Sequence, residues 1–152
     1  MKFESLKDAL EFAKDKEQKA DDLYTMFRKI VTNQAAKKLL EDLAIQERRH
    51  KQLIEDVLQS GNVAKIGGRK NISEVSFSDY IVAEDLTPES DPQAVMTYAM
   101  KMEQSAYDLY KDLHANYMDT ELEGLFARLA QEELKHKEIL EDQYEEHFAQ
   151  WM

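Results

Sequence analysis

The sequence contains no cysteine, only four glycines and two prolines, and a large excess of acidic over basic residues. Without cysteine there are no disulfides, no thiolate metal ligands and no iron–sulfur centre. The net charge of −11 disfavours nucleic acid and anionic membrane surfaces as partners, because both bind basic patches. No apolar run is long enough to span a bilayer, and the first residues do not resemble a signal peptide, so we expect a cytoplasmic protein.

Scarce glycine and proline also argue against a turn-rich β protein, whereas abundant Ala, Leu, Glu, Lys, Gln and Met favour helices. In four segments, apolar residues recur at spacings of three, four and seven, which is typical of amphipathic helices. We therefore predict an all-α four-helix bundle, built from two antiparallel hairpins joined by a long crossover. One domain spans 1–152, with hairpins at about 5–60 and 91–148 and the crossover at about 61–90.

Capping residues mark where the helices begin. Ser5 and Asn33 precede the first two apolar stripes, and Asp91 stands directly before a proline at the start of the third. Such residues accept hydrogen bonds from the otherwise unpaired amides of a first helical turn. Within the crossover, we predict a short helix at 78–85.

Polar residues interrupt the apolar stripe of every predicted helix. The second and fourth stripes each contain an E-x-x-H pair, in which the carboxylate and the imidazole lie on one face, a single turn apart. One such pair occurs readily by chance in a chain this rich in glutamate. The interrupting residues are Glu17, Glu47, His50, Glu103, Glu133 and His136.

An internal repeat relates these residues. Residues 17–24, EQKADDLY, match residues 103–110, EQSAYDLY, at six of eight positions. Residues 44–56, AIQERRHKQLIED, match residues 130–142, AQEELKHKEILED, at six of thirteen. Both matches have an offset of 86 positions, so the halves resemble a duplicated helical hairpin.

Packing two such hairpins together would gather the six residues in one layer of the core, since the glutamates of each hairpin lie equally far from its turn. Burying four uncompensated carboxylates would cost more than the ~5–15 kcal/mol stability of a typical domain. Two divalent cations would balance their charge. Carboxylate and imidazole ligands suit Fe, Mn or Zn.

With two E-x-x-A-x-x-x-Y and two E-x-x-H segments in order, the chain resembles the ferritin-like di-iron carboxylate proteins, in particular the rubrerythrin-like group. The resemblance implies a ferritin-like fold and two Fe ions, with Mn or Zn as alternatives. It also implies that Glu17 and Glu103 each bind mainly one metal ion and that Glu47 and Glu133 bridge the two ions. His50 and His136 would each supply one nitrogen ligand.

Tyr24 and Tyr110 follow their glutamates by seven residues on the same face. The resemblance implies that they hydrogen-bond the carboxylates and deliver a proton or quench an oxidising intermediate, although ordinary core tyrosines fit the pattern too. Two features depart from the family. The chain has no cysteine for a rubredoxin module, so a separate electron donor such as a rubredoxin is expected, and Ala106 stands where an additional carboxylate is usual.

The resemblance implies an oxidoreductase that reduces O2 or peroxide, with a homodimer as the expected assembly. Iron binding and storage is a second interpretation, in which the metal centre is an entry site and a cage-forming assembly is expected. A third is a structural Zn or Mn site without turnover. All three require about two metal ions per chain.

Overall fold

The computed structural model describes residues 3, 5–68, 77–82, 86 and 91–151. Four long helices make up most of them: α1 (Leu6–Ile30), α2 (Gln34–Gln59), α3 (Pro92–Asn116) and α4 (Glu123–Trp151). α1 packs along α2 and α3 along α4, and the short connections make each pair an antiparallel hairpin. The predicted all-α four-helix bundle is confirmed.

The helix starts follow from local hydrogen bonding. Each predicted capping side chain accepts a hydrogen bond from the backbone amide three residues further on, at 3.2 Å for Ser5, 3.0 Å for Asn33 and 2.8 Å for Asp91. These bonds satisfy amides that have no partner within the helix. α2 ends at Gln59, and Gly61 follows with a φ of 76°, a conformation that glycine adopts without the steric cost of a Cβ.

The crossover differs from the prediction of a helix at 78–85. A short 3-10 helix spans Phe77–Tyr80, residues 81 and 82 are not helical, and 83–85 lie outside the described residues. The carbonyl oxygen of Tyr80 accepts hydrogen bonds from Lys16 Nζ at 2.7 Å and from Ser105 Oγ at 2.5 Å. Contacts with α1 and α3 therefore hold this segment, and its own sequence does not show them.

The apolar core consists of two clusters. The Phe126 cluster includes Leu10 and Leu109, and the Phe27 cluster includes Leu40 and Met96. Along each helix, the polar interruptions fall between the residues of one cluster and those of the other. The core is thus two apolar layers with a polar layer between them.

A helix must be both long and strongly apolar to cross a lipid bilayer. In the described part of the chain, no helix meets both conditions.

Candidate metal centre

All four helices contribute to the polar layer. α1 and α3 supply one glutamate each, and α2 and α4 supply a glutamate and a histidine each. Each of these six residues is only 1% exposed, because the two apolar clusters cover the layer on both sides. The structure therefore brings together every residue that we predicted as a metal ligand: Glu17, Glu47, His50, Glu103, Glu133 and His136.

The six residues form two overlapping groups that could each hold a metal ion. We call the group with His50 the His50 position and the group with His136 the His136 position. In each group, one potential ligand atom from every member lies within 4.8 Å of the others. The His50 position comprises Glu17, Glu47, His50 and Glu133, and the His136 position comprises Glu47, Glu103, Glu133 and His136. Only the carboxylates of α2 and α4 belong to both.

The histidines connect the two hairpins in a reciprocal way. His50 Nδ1 lies 2.6 Å from Glu133 Oε1, and His136 Nδ1 lies 2.7 Å from Glu47 Oε1. The two imidazole rings are nearly parallel, with centroids 5.7 Å apart and an interplanar angle of 11°. His50 and Glu47 correspond to His136 and Glu133 under the 86-residue offset, so the two hydrogen bonds are equivalent in the sequence repeat. The repeat is therefore an approximate two-fold arrangement in space.

Two carboxylate oxygens test whether this layer fits metal ions. Glu17 Oε2 lies 3.6 Å from His50 Nδ1, and Glu103 Oε2 lies 3.8 Å from His136 Nδ1. In the described part of the chain, both oxygens are buried without a hydrogen-bond partner, which is uncommon for buried polar atoms. A cation between each oxygen and its imidazole nitrogen would have both as ligands. The donor set of carboxylate oxygen and imidazole nitrogen therefore fits Fe, Mn or Zn.

The carboxylates differ in their affinity for protons. Burial and the neighbouring charges of Glu103 and Glu17 raise the pKa values of Glu47 and Glu133 well above the usual range. Burial would raise the pKa of Glu17 too, but the neighbouring Glu47 and His50 outweigh it and lower that pKa. The two carboxylates common to both positions are thus the ones that gain most from added positive charge.

The histidines differ as well. Burial lowers the pKa of both imidazoles, but at His50 the hydrogen bond to Glu133 and the nearby carboxylate of Glu17 outweigh it and raise the pKa to about 11. At His136, burial dominates and the pKa is lowered. The two histidines therefore occupy equivalent positions but differ in their affinity for protons.

Tyr24 and Tyr110 each donate a hydrogen bond to a glutamate of the other hairpin. Tyr110 on α3 donates to Glu17 Oε1 on α1 at 2.6 Å, and Tyr24 on α1 donates to Glu103 Oε1 on α3. Burial and the nearby carboxylates raise both phenol pKa values well above normal. Both tyrosines are therefore protonated donors near neutral pH. Ala106, at the place of the additional family carboxylate, packs in the Phe126 cluster.

Sequence reasoning missed two residues that face the outward nitrogens of the histidines. His136 Nε2 lies 2.7 Å from Gln46 Oε1, and His50 Nε2 lies 3.5 Å from Glu132 Oε1. The repeat contained a signal for them, because each directly precedes the glutamate of an E-x-x-H pair and they are 86 positions apart.

Sequence reasoning also missed Lys16. Its Nζ donates to the Tyr80 carbonyl and, at 2.9 Å, to Ser105 Oγ. Burial lowers its pKa to about 8, although the charge of the adjacent Glu17 opposes that shift. Lys16 thus connects α1 to the crossover and α3 directly beside the polar layer.

Comparison with known proteins agrees with this arrangement. A family model described as Rubrerythrin matches residues 8–144, a span that includes all six clustered residues and both tyrosines. Neither a search of curated proteins nor a search of solved structures found a match. The family match and the observed bundle identify the fold as ferritin-like, and the chain belongs to the rubrerythrin family.

Proposed function

We propose that this protein is a di-iron carboxylate oxidoreductase that reduces O2 or peroxide. The observation that carries the proposal is the pair of four-residue groups that share Glu47 and Glu133. Two metal ions held that closely, with two carboxylates between them, can act together on one small oxidant.

In this proposal, Glu47 and Glu133 would contribute to both metal positions, while the remaining ligands would each hold one ion. Glu17 and His50 would complete the His50 position, and Glu103 and His136 would complete the His136 position. When bound, two Fe(II) ions would supply the two electrons that, with two protons, reduce peroxide to two molecules of water. Mn is compatible with the same ligands, and Zn would give a structural site because it has no redox chemistry.

The surrounding residues control charge, water and protons. The four carboxylates match two divalent cations in charge, so the loaded layer is close to neutral before any imidazole titrates. The apolar clusters exclude bulk water from it. Tyr24 and Tyr110 hold their phenolic protons against Glu103 and Glu17. They orient those carboxylates and provide protons next to the site of reduction.

We also propose a separate electron donor, since none of the residues in this sequence is a cysteine that could hold a thiolate-bound centre. A rubredoxin has the appropriate chemistry for this role. The donor, the cytoplasmic location and the homodimer all stay predictions.

Anaerobic loading with Fe(II) followed by metal analysis tests the site, and about two ions per chain are expected. Stopped-flow mixing of the loaded protein with substoichiometric peroxide or O2 then tests the reaction. Rapid oxidation followed by full re-reduction supports turnover. A growing mineral core would instead support iron storage, and protein that takes up no Fe(II) would contradict the metal site. Glu138→Gln is a suitable control, since this exposed α4 side chain lies outside the cluster.

A further inference from the structure

The two histidines have chemically different partners on their outward side. His136 Nε2 lies against the neutral carboxamide of Gln46, at 2.7 Å from its oxygen. His50 Nε2 has no hydrogen-bond partner among the described residues, and the carboxylate of Glu132 lies 3.5 Å away from it. Gln46 and Glu132 occupy equivalent positions of the repeat. Their contacts with the histidines nevertheless differ in charge and in distance, so the approximate symmetry does not hold here.

The carboxylate of Glu132 has two separate contacts. Its Oε2 accepts a hydrogen bond from Arg128 Nε at 3.0 Å, while its Oε1 faces His50. Arg128 is 62% exposed and Glu132 is 30% exposed, so solvent screens the ion pair between them. Glu132 therefore brings negative charge to the edge of the His50 position, and Gln46 brings none to the His136 position.

The outward partner matters because both imidazoles direct Nδ1 into the carboxylate cluster. A hydrogen-bond acceptor or a negative charge beside Nε2 favours a proton on that nitrogen and leaves Nδ1 free to bind a metal ion. The Gln46 amide oxygen acts on His136 through a hydrogen bond, whereas the Glu132 carboxylate acts on His50 through its charge across 3.5 Å. The Glu132 carboxylate also stabilises the positive charge that a bound metal ion would place on the His50 imidazole, which the neutral Gln46 amide does not do for His136. Residues that contact metal ligands in this way typically change metal affinity by ~10–100-fold.

We infer that the two metal positions are unequal, and that Glu132 makes the His50 position the tighter site for a divalent cation, which fills first. The inference rests on the proposed metal centre and adds to it an order of filling. Glu132 and Gln46 act as positioning residues, since they contact the histidines and not the metal ions. The position with the neutral amide would fill second and release its ion more easily.

Zinc titration of the full-length, chelator-treated protein tests this inference independently of any activity. Histidine ring ¹⁵N resonances, assigned with His50→Gln and His136→Gln, report which imidazole binds metal at each step. In the unmodified protein, the first equivalent of Zn²⁺ should shift the His50 resonance and the second the His136 resonance. A competing chelator should give affinities for the two steps that differ by ~10–100-fold.

Two isosteric changes give the decisive comparison. Glu132→Gln should bring the two affinities together, and the double change Gln46→Glu with Glu132→Gln should reverse the order so that His136 binds first. Arg128→Gln, which removes the ion-pair partner of Glu132, should widen the difference. Glu138→Gln should change nothing, as an exposed α4 residue outside both positions.

The titrations distinguish failure of the inferred inequality from failure of the metal centre. Simultaneous shifts of both rings, or an order unaffected by the double change, would overturn the inequality while leaving the metal centre intact. Failure of the unmodified protein to bind Zn²⁺ at either histidine would overturn the metal centre itself, and the inference with it.

Discussion

Tyr110 on α3 donates a 2.6 Å hydrogen bond to Glu17 on α1, and both side chains are almost wholly buried. The mirrored bond from Tyr24 to Glu103 runs in the opposite direction between the same two helices. Each hairpin therefore supplies the donor for a glutamate of the other. The polar layer is consequently part of the contact between the hairpins.

Replacing Tyr110 with phenylalanine should destabilise the protein, because a buried carboxylate oxygen of Glu17 loses its donor. Loss of one partner in a buried hydrogen bond costs ~1–3 kcal/mol. Urea unfolding of chelator-treated protein, followed by circular dichroism, measures this change in the free energy of unfolding. Tyr107→Phe is the matched control, since that half-buried ring lies outside the polar layer. Equal stability of the two variants would contradict the role given to the Tyr110 hydroxyl.

Removing a carboxylate that both metal positions share should have a larger effect than removing one that belongs to a single position. Glu47→Ala and Glu133→Ala should each abolish stable binding of both ions. Glu17→Ala should keep about one ion per chain, bound at the His136 position. Metal analysis after anaerobic Fe(II) loading and gel filtration gives the counts, with circular dichroism as the check of folding. A Glu47→Ala protein that retains two ions would exclude Glu47 as a bridging ligand.

The stability of chelator-treated protein should fall as the pH rises from 7 to 9. Glu47 and Glu133 have raised pKa values in the folded state, so their stabilising contribution is complete below their unfolded pKa of about 4.3 and decreases above it. The contribution of His50 decreases from its unfolded pKa near ~6.5 up to its folded value of about 11. The lowered pKa values of His136 and Lys16 act in the opposite direction, that of His136 mainly below pH ~6.5 and that of Lys16 only above its folded value of about 8.

Thermal unfolding with excess chelator at several pH values measures this trend. Zn²⁺-loaded protein is the comparison, and its advantage in melting temperature over chelator-treated protein should grow with pH. Metal ligands must lose protons to bind, so deprotonation favours the loaded state. A melting temperature of chelator-treated protein that rises between pH 7 and 9 would contradict the protonation pattern of the cluster.

Replacing Lys16 with methionine should loosen the crossover, because Tyr80 and Ser105 each lose a hydrogen bond from the ammonium group. Hydrogen exchange in residues 77–82 should become faster, and the free energy of unfolding should fall by ~1–3 kcal/mol. Lys14→Met is the control. Its half-exposed ion pair with Glu11 spans three residues on one helix and is worth only ~0.2–0.5 kcal/mol. Unchanged exchange in Lys16→Met would show that other contacts hold the 3-10 helix.

Periodicity along the chain was sufficient to predict the helices and the set of buried polar residues. Glu17 and Glu103 were recognisable because each interrupts an otherwise apolar stripe, and burial of a charged group requires compensation. The 86-residue repeat then gave Glu47, Glu133 and both histidines a common role. These predictions depend on which face of one helix a residue occupies, and 3.6 residues per turn determine that face.

Contacts between helices could not be predicted from periodicity. The sequence could not show that Tyr110 serves Glu17 in place of the glutamate on its own helix, or that Lys16 reaches Tyr80 across 64 residues. Nor could it show that the residues before the two E-x-x-H glutamates contact opposite histidines. Spacing within a helix specifies a direction around its axis, whereas these partners depend on how the two hairpins pack, and packing is a property of the folded core.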